Sequence, residues 1–288
     1  MPDSPAAAVV VNYNARDALV ACLASLRSEG VETVVVVDND SQDGSAEAVA
    51  AADPDARFIA TGANLGYGTA ANRGVREVDE PYVMVLNPDV VVEPGTVKAL
   101  VDALERDPRL AVVGPRVEEP DGSLYPSARR FPELGVAAGH AFLGYVAPRN
   151  RWSRAYKLAD WDHSHRGEVD WVSGSCLMAR RSAYQAVGGF DEDYFMYAED
   201  VDLCWRTWQA GWRVAYEPEG RVVHTGGVST DQAPYRMILE HHRSLWRFAR
   251  KSASGRDRLA LPAVAAGLGA RTALSWGQRA YEGWRSRP

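Results

Sequence analysis

The first 115 residues alternate between short apolar runs and stretches whose apolar side chains recur at helical spacing. Short runs of β-branched residues are typical of buried parallel strands, and apolar positions three or four apart indicate amphipathic helices. The predicted strands span residues 8–11, 33–37, 57–60, 83–86 and 110–114. Four helices are predicted between these strands. The first is capped by Asn14 and ends at Gly30, the second is capped by Ser45, the third contains Asn72, and the fourth spans 96–105. Strands and helices in alternation, joined by short connections, predict an α/β fold around a parallel sheet.

This alternation breaks down in the second half of the chain. Pro120-Asp121-Gly122 lies between two extended runs and predicts a hairpin. Residues 131–170 have a weak pattern, and we interpret them either as a mobile excursion beside a binding site or as an ordinary surface insertion. Beyond them we predict a strand at 169–179, a helix at 182–187 and a longer helix that begins within 190–206 and ends at Gly211.

The C-terminal stretch differs from the rest of the chain in charge. Residues 1–233 carry a net charge of −14, whereas residues 234–288 carry +8 and several aromatic side chains. A helix is predicted at 231–251, and the apolar stretch 259–270 is shorter than the roughly 18 residues of a membrane-spanning helix. Three interpretations are open: a surface that docks on an anionic membrane, a solvated helical tail packed on the domain, or a contact between two copies. Nucleic acid is disfavoured because an acidic body repels phosphates.

Composition adds three expectations. The length of 288 residues suits one large α/β domain or two small ones. Cys22, Cys176 and Cys204 have no metal-type spacing and lie in apolar runs, so we predict small buried side chains in a reducing compartment. The N-terminus lacks the basic and apolar regions of a signal peptide, and we expect a cytoplasmic protein.

Polar side chains follow three of the predicted strands. Asp38 and Asp40 come after the second strand, Asn64 after the third, and the turn Asn87-Pro88-Asp89 after the fourth. The proline of this turn stops the strand and holds the last carboxylate on a stiff support. Carboxyl ends of parallel strands lie side by side, where α/β sheets bind ligands, so a site is predicted there. Neither the dinucleotide motif Gly-x-Gly-x-x-Gly nor a P-loop is present, which argues against a classical dehydrogenase or P-loop enzyme.

A second cluster of acids lies between residues 190 and 206. Helical spacing places Asp200 on an inward face, where the first turn of a helix favours an ionised carboxylate. An ionised carboxylate in a cleft is what a general base requires. Asp202 and Arg206 are four residues apart and are predicted to pair on the outer face.

Six motifs together resemble the inverting glycosyltransferases of family 2, over about residues 8–230. They are Val11-Asn12-Tyr13-Asn14, Asp38-Asn39-Asp40-Ser41, Asn64-Leu65-Gly66-Tyr67-Gly68 with Asn72 and Gly74, Asn87-Pro88-Asp89, Gly189-Phe190-Asp191-Glu192 leading to the acids of 199–206, and His224 with Gly226-Gly227 and Ser229. The resemblance implies a GT-A fold, a Rossmann-like and mostly parallel sheet flanked by helices, followed by a basic, mostly helical tail. Within the family, the Asn-Pro-Asp form and the run Phe-Met-Tyr-Ala-Glu-Asp at 195–200 look most like bacterial rhamnosyltransferases. The arginine-rich style of the sequence is similar to the actinobacterial rhamnosyltransferases of the cell-wall linker.

The resemblance also assigns roles to residues. Asp200 matches the catalytic base, and Asp89 and His224 match ligands of a divalent cation, Mg or Mn. Since Asn87 is neutral, one anionic ligand remains in that turn, and the cation should bind weakly until the donor diphosphate completes its shell. The expected donor-binding residues are Asn12, Asp38, Asp40, Asn64, Gly66, Asn72 and Asn87. The residues expected on the acceptor side are Trp171, Gly174, Ser175, Glu199 and Arg206.

The resemblance implies transfer of L-rhamnose from dTDP-rhamnose to a polyprenyl-diphosphate-linked GlcNAc, with inversion. We expect residues 1–230 to form the catalytic domain, with a nucleotide-binding half to about 115 and an acceptor half after it. Residues 231–288 would associate with the inner face of the cell membrane or form a homodimer. The alternatives are a family 2 transferase for another sugar or acceptor, such as galactofuranose, a nucleotidyltransferase, or a non-catalytic nucleotide-sugar-binding subunit.

Overall fold

A mixed β-sheet runs through the computed structural model, which describes residues 5–131, 158, 161–227 and 234–285. The strands are β1 (Ala6–Asn12), β2 (Val34–Asp38), β3 (Arg57–Ala60), β4 (Tyr82–Leu86), β5 (Val90–Val92), β6 (Leu110–Glu118), β7 (Leu124–Tyr125), β8 (Ala128–Arg129), β9 (Gly167–Glu168), β10 (Trp171–Val172), β11 (Cys176–Arg180) and β12 (Arg213–His224). The helices are α1 (Arg16–Ser28), α2 (Ser45–Ala52), α3 (Tyr67–Val75), α4 (Thr96–Arg106), α5 (Arg181–Ala186), α6 (Glu199–Gln209), α7 (Pro234–Ser252) and α8 (Leu261–Arg285), with a 3-10 helix at Gly255–Ala260.

Four parallel strands form the first part of the sheet, in the order β3-β2-β1-β4. In the centre, Val10 aligns with Val36 on one side and with Leu86 on the other. All residues of β1, β2 and β4 are buried, as a sheet covered on both faces requires. The predicted α/β fold with a parallel sheet is confirmed in this part.

The sheet continues with strands of mixed direction, in the order β11-β6-β12-β5. β11 is antiparallel to both β4 and β6, whereas β6 and β12 are parallel. The predicted strand from residue 83 ends before the Asn-Pro-Asp turn, as expected from its proline. The residues after the turn form β5, which pairs with β12 in a register that sets Val90 opposite His224. This pairing brings the end of β12 beside the turn that carries Asp89.

Alternate residues of each central strand supply two separate cores, because successive side chains point to opposite faces of a sheet. Val10 belongs to a core with Leu23 of α1 and Leu100 of α4. Val9 belongs to the other core, with residues of α3 and with Leu203 of α6. The three cysteines are buried and unpaired, as predicted.

Two predicted helix caps are wrong. Helix α1 begins at Arg16 after Ala15, and Asn14 stands outside it at a positive φ of 47°. The Asn14 Oδ1 accepts a hydrogen bond from the backbone N–H of Gln42 instead. In α2 the cap position belongs to Gly44, and Ser45 is the first helical residue.

Two further boundaries differ in the second half. The predicted strand 169–179 is divided by a turn at residues 173–175 into β10 and β11. Helix α6 begins only at Glu199, because Tyr197 and Ala198 before it have φ values of 68° and 60°, which an α-helix excludes. Residues 190–198 therefore form an irregular segment, called the 190–198 segment below.

The C-terminal helices α7 and α8 pack against each other and are joined by the 3-10 helix. Within the described ranges, no helix combines the length and apolarity needed to cross a membrane. Most of the weakly patterned stretch 131–170, with its predicted excursion or insertion, lies outside the described residues, as does Ser229.

Candidate active site

The candidate site lies where β1, β2 and β4 end, beside the loop that follows β3. Asn12 ends β1, Asp38 ends β2, Asp89 follows β4 and Asn64 follows β3. Since these four strands are adjacent and parallel, their carboxyl ends share one edge of the sheet. The strand order therefore places Asp38, Asn64 and Asp89, which the sequence analysis grouped, at a common edge, together with Asn12.

Asn12 and Asp38 form a buried pair at the centre of this edge. The Asn12 Nδ2 donates to Asp38 Oδ1 at 2.7 Å, and Asp38 also accepts from the backbone and hydroxyl of Ser41 at 2.9 and 2.6 Å. Asn12 is fully buried, and its Oδ1 has no hydrogen-bond partner in the described part of the chain. A buried amide oxygen without a partner is costly, so an N–H or O–H of a ligand that reached this atom would stabilise the edge.

The loop after β3 is fixed by its neighbours. Asn64 Oδ1 accepts from the Gly66 N–H at 3.1 Å, and Asn39, buried after β2, donates to the Gly66 carbonyl at 3.1 Å. Gly66 has a φ of 87°, and a Cβ there would lie 2.3 Å from the carbonyl oxygen of Phe195. Asp40 is exposed at a positive φ of 69° beside this loop.

Asn87, Asp89 and His224 converge at the end of β4. The His224 Nε2 lies 3.2 Å from Asn87 Nδ2 and 3.2 Å from Asp89 Oδ1, and both Asp89 and the histidine are largely buried. In the described ranges no cluster of three His, Cys, Asp or Glu side chains could hold a metal ion. One carboxylate and one imidazole fit a divalent cation whose remaining ligands come from a bound substrate.

The turn at residues 173–175 connects three parts of the site. Its Gly174 N–H donates to Asp200 Oδ2 at 2.9 Å, and its Gly174 carbonyl accepts from the Tyr67 hydroxyl at 2.5 Å. The Ser175 carbonyl accepts from the Asn87 N–H at 2.9 Å. The donor-side helix α3, the Asn-Pro-Asp turn and the predicted base are thus linked through two residues.

The two acids that begin α6 differ in their surroundings. Asp200 is partly exposed, and its two carboxylate oxygens accept from the N–H groups of Gly174 and Val201. Burial raises the pKa of Asp200 above its ordinary value, so the predicted lowering by the helix dipole does not dominate. Glu199 is buried, and its Oε2 has no partner within the described structure. Burial, and secondarily the charge of Asp200, raise the pKa of Glu199 to about 8. At neutral pH Glu199 is therefore protonated.

Three of the predicted site residues serve the fold instead. The Asn72 amide is saturated by protein groups, since it bonds the backbone of Phe190, the Glu192 carboxylate and the Tyr184 hydroxyl. No group of it remains for a donor, so the assignment of Asn72 to the nucleotide pocket is corrected. The Trp171 ring is buried in the core, and its N–H donates to the Arg130 carbonyl at 2.8 Å.

Arg206 is the third predicted site residue whose contacts serve the fold. Its pair with Asp202 exists, at 2.6 Å, but Asp202 is fully buried, so the predicted outer position is wrong. The guanidinium also donates to the carbonyls of Val187 and Gly189 at 2.5 and 2.7 Å. Arg206 therefore joins α6 to the turn after α5, and these bonds give its guanidinium a structural role.

Sequence reasoning missed three contributors to the site. Tyr67 and Asn39 were read only as parts of motifs, although a tyrosine and an asparagine inside Gly-rich or Asp-rich loops signal a polar partner across the loop. Arg129 acts on Asp200 through its charge, which lowers the pKa of that carboxyl against the effect of burial. No local pattern around Arg129 indicated this, since its position depends on the pairing of β8 with β10.

Comparisons with known proteins agree with this arrangement. The family model described as Glycosyl transferase family 2 matches residues 7–188. A protein of Mycobacterium tuberculosis named N-acetylglucosaminyl-diphospho-decaprenol L-rhamnosyltransferase is 44% identical over 260 residues, which cover 86% of this chain and 84% of that protein.

Solved structures share the fold at low identity. A mannosyltransferase from Pyrobaculum calidifontis, in complex with GDP-Man and Mn2+, has a TM-score of 0.58 at 18% identity, covering 96% of this chain and 77% of that chain. GalNAc-T7, with UDP, GalNAc and Mn2+, has a TM-score of 0.57 at 13% identity, covering 76% of this chain and 43% of that one. The GT-A fold is thereby confirmed. From the extent of the family match and the 44% identity, this chain is a glycosyltransferase and belongs to glycosyl transferase family 2.

Proposed function

We propose that this glycosyltransferase transfers L-rhamnose from dTDP-rhamnose to a polyprenyl-diphosphate-linked GlcNAc, with inversion of the anomeric configuration. The observation that carries the proposal is the 44% identity, over most of both chains, to the mycobacterial enzyme whose name states that transfer. The arrangement of Asn12, Asp89, Asp200 and His224 at one edge of the sheet is consistent with a single displacement at a sugar carbon.

The donor's nucleoside would occupy the edge formed by β1, β2 and the loop after β3. The free Oδ1 of Asn12 and the carboxylate of Asp38 offer acceptors to the N–H or hydroxyl groups of a base or ribose. Asp40 and Asn64 stand at the rim of the same edge, and Gly66 lets the backbone approach the nucleotide closely.

The donor's diphosphate would lie at the convergence of Asn87, Asp89 and His224. Asp89 and His224 would hold a divalent cation, Mg or Mn, which would supply positive charge against the leaving nucleoside diphosphate. Since the protein offers few ligands, occupancy of this site should depend on the donor. The Asn87 amide lies beside the imidazole and would orient it.

Asp200 would act as the general base. Its Oδ1 and Oδ2 are fixed by backbone N–H groups, while part of the carboxylate remains exposed to the cleft. In the displacement the acceptor oxygen bonds to the anomeric carbon as the bond to the diphosphate oxygen breaks, and the hydroxyl proton passes to Asp200. Burial makes this carboxylate a stronger base than an ordinary aspartate. Ser175 and Gly174 would border the acceptor on the same side.

The basic C-terminal helices would bring the site to its lipid-linked acceptor. Exposed apolar side chains cluster on this part of the chain, with Leu259 and Leu274 at 83% and 74% exposure and Tyr235 and Trp276 at 45% and 40%. Aromatic and aliphatic side chains among arginines are typical of surfaces that lie on anionic membranes. The protein would therefore work as a peripheral protein on the cytoplasmic face of the membrane.

The test is a transfer assay with purified protein, dTDP-rhamnose, Mg and a GlcNAc-diphosphate polyprenol, read by dTDP release and by the mass of the lipid. We expect a gain of one deoxyhexose, abolished by EDTA and reduced about 100- to 10,000-fold in Asp200→Asn, the usual contribution of a general base. Donor affinity of Asp200→Asn should stay within about twofold of wild type, since the carboxylate has no proposed donor contact.

Two outcomes would contradict the proposal differently. Metal-dependent dTDP release without a gain in lipid mass would reject the acceptor and keep a glycosyltransferase. Full transfer by Asp200→Asn would reject the assignment of the base.

A further inference from the structure

Helix α7 lies outside the part of the chain matched by the family model, yet it contacts the 190–198 segment along most of its length. The Lys251 Nζ lies 2.7 Å from Asp191 Oδ2, and Arg247 pairs with Asp193. The Ser244 hydroxyl donates to the Met196 carbonyl at 2.8 Å.

Aromatic contacts extend the same interface. The Arg236 guanidinium lies 4.4 Å from the centre of the Phe195 ring, and the His241 ring lies 5.0 Å from that of Tyr197. Phe248 is buried in the core shared with α3 and α6. Helix α7 is thus packed on the catalytic part of the chain.

The opposite side of the 190–198 segment contacts the donor loop. The Phe195 carbonyl accepts from the Tyr67 N–H at 3.0 Å, next to Gly66. The segment then enters α6 through Tyr197 and Ala198, two successive residues with left-handed backbone conformations. Such conformations are disfavoured for residues with a Cβ and persist only where their surroundings determine them. Helix α7 supplies part of those surroundings.

Lys251 makes the most direct connection to the base. Its Nζ also lies 2.7 Å from Asp202 Oδ1, in the first turn of α6 and two residues after Asp200. Asp202 is fully buried, and its other oxygen pairs with Arg206. Without Lys251, the nearest partner of Oδ1 is the Tyr194 hydroxyl at 3.4 Å, so a buried carboxylate would lose half of its compensating charge.

From these contacts we propose that α7 positions the catalytic base: through Lys251 it holds the 190–198 segment and the first turn of α6 in the arrangement that presents Asp200 to the cleft. Lys251 is a positioning residue, because it acts through Asp191 and Asp202 and not on a substrate. The inference rests on the proposed role of Asp200. It extends the active site to a helix that sequence interpretation assigned to a separate tail.

The test compares Lys251→Met, Lys251→Arg and the matched control Arg250→Met in the full-length protein. Arg250 is the exposed neighbour of Lys251 and faces the Trp246 ring, so its variant removes the same charge from α7 without touching the segment. We expect kcat of Lys251→Met to fall about tenfold or more, because small misplacements of a catalytic group are costly, while the donor KM changes less than about twofold. Lys251→Arg should recover most of kcat, and Arg250→Met should match wild type.

Hydrogen exchange provides a second readout that is independent of transfer. In Lys251→Met the amides of residues 196–202 should exchange faster, while those of β1 and β2 stay protected. An unchanged kcat per folded molecule, or an equal loss in Arg250→Met, would overturn the proposal. If wild type transfers no sugar, the proposed function fails, and exchange at 196–202 alone decides whether α7 holds this region.

Discussion

At the scale of single residues, Glu199 and Asp200 are neighbours in the chain with different chemical roles. One step along a helix rotates a side chain by about 100°, so Asp200 reaches the cleft and Gly174 while Glu199 turns inward toward Tyr67. Burial raises the pKa of both acids. They differ because the N–H groups of Gly174 and Val201 and the charge of Arg129 lower the pKa of Asp200, whereas the charge of Asp200 raises that of Glu199. The raised pKa of Glu199 should therefore appear in the pH dependence of the free energy of unfolding.

The wild-type protein should lose stability as the pH rises from about 5 to about 8. We predict that Glu199→Gln abolishes this loss. The unfolded chain releases this proton near the ordinary value of 4.5, whereas the folded chain keeps it to about pH 8. Between those values the native state binds one more proton, so stability falls as pH rises, by about 1.4 kcal/mol per pH unit. Urea unfolding across this range measures the difference between variant and wild type.

The control for this experiment is Glu105→Gln, on the exposed face of α4. It should follow wild type at every pH. Parallel curves for Glu199→Gln and wild type would show that Glu199 is already ionised in the folded protein.

A second prediction at this scale concerns the cation. Asp89→Asn keeps the shape of the side chain and removes its charge, so dTDP binding in the presence of Mn should weaken by at least about tenfold. Calorimetry with and without Mn measures this effect independently of turnover. The control Glu93→Gln neutralises an exposed acid a few residues away and should bind like wild type. Equal Mn-dependence in Asp89→Asn and wild type would exclude Asp89 as a ligand.

The sequence predicted which residues lie near the site better than it predicted the groups to which those residues hydrogen-bond. Asp38, Asp89, Asp200 and His224 are where the motifs suggested, because strand and helix ends fix the backbone positions. Asn72 was misassigned, since an asparagine saturated by protein groups has the same local sequence context as one that binds a ligand.

At the scale of elements, the 190–198 segment and the loop after β3 determine how the two halves of the site meet. At Gly66 the two backbones lie so close together that a Cβ would be 2.3 Å from the Phe195 carbonyl oxygen. Regular strands were predicted well from apolar runs, and β3 matches its predicted bounds. The start of α6 was missed because the acidic and apolar pattern continues through Tyr197 and Ala198, whose left-handed backbone depends on contacts distant in sequence.

We predict that Gly66→Ala is more destabilising than Gly62→Ala by about 1–3 kcal/mol. Both glycines have a positive φ, but Gly66, with φ 87° and ψ 168°, lies in a region that essentially only glycine occupies. Only at Gly66 does the added carbon also meet a backbone oxygen, at 2.3 Å. At Gly62 nothing lies within 4 Å. Urea unfolding of the two variants measures the combined cost of the clash and of the backbone conformation at Gly66, relative to Gly62. Equal destabilisation would show that the loops can move apart freely.

At the scale of the whole molecule, charge is divided between an acidic catalytic part and a basic C-terminal part. The sequence predicted this division and the presence of C-terminal helices. It did not predict that α7 packs on the 190–198 segment, because ion pairs such as Lys251 with Asp202 join residues that no local pattern relates.

We predict that the full-length protein binds vesicles containing anionic lipid and that salt releases it. The double variant Arg256→Gln with Arg258→Gln should reduce partitioning at least about tenfold, since each cation near the surface contributes about 1 kcal/mol. Both arginines are exposed beside Leu259. Co-sedimentation with vesicles measures the effect.

The control is the double variant Lys98→Gln with Arg109→Gln, which removes the same charge from the catalytic part of the chain. Its partitioning onto anionic vesicles should equal that of wild type. Equal losses in both double variants would indicate non-specific attraction. A dimer in sedimentation equilibrium, without vesicle binding, would favour a contact between two copies.

The packing of α7 on the 190–198 segment also bears on how such enzymes diverge. Two stretches about 50 residues apart meet through Lys251, Arg247 and Ser244, so a substitution in one alters which residues the other tolerates. The two stretches should therefore vary together among homologues. A chimera that takes residues 234–285 from one parent should regain turnover only when residues 190–198 come from the same parent, so these two stretches cannot be exchanged independently.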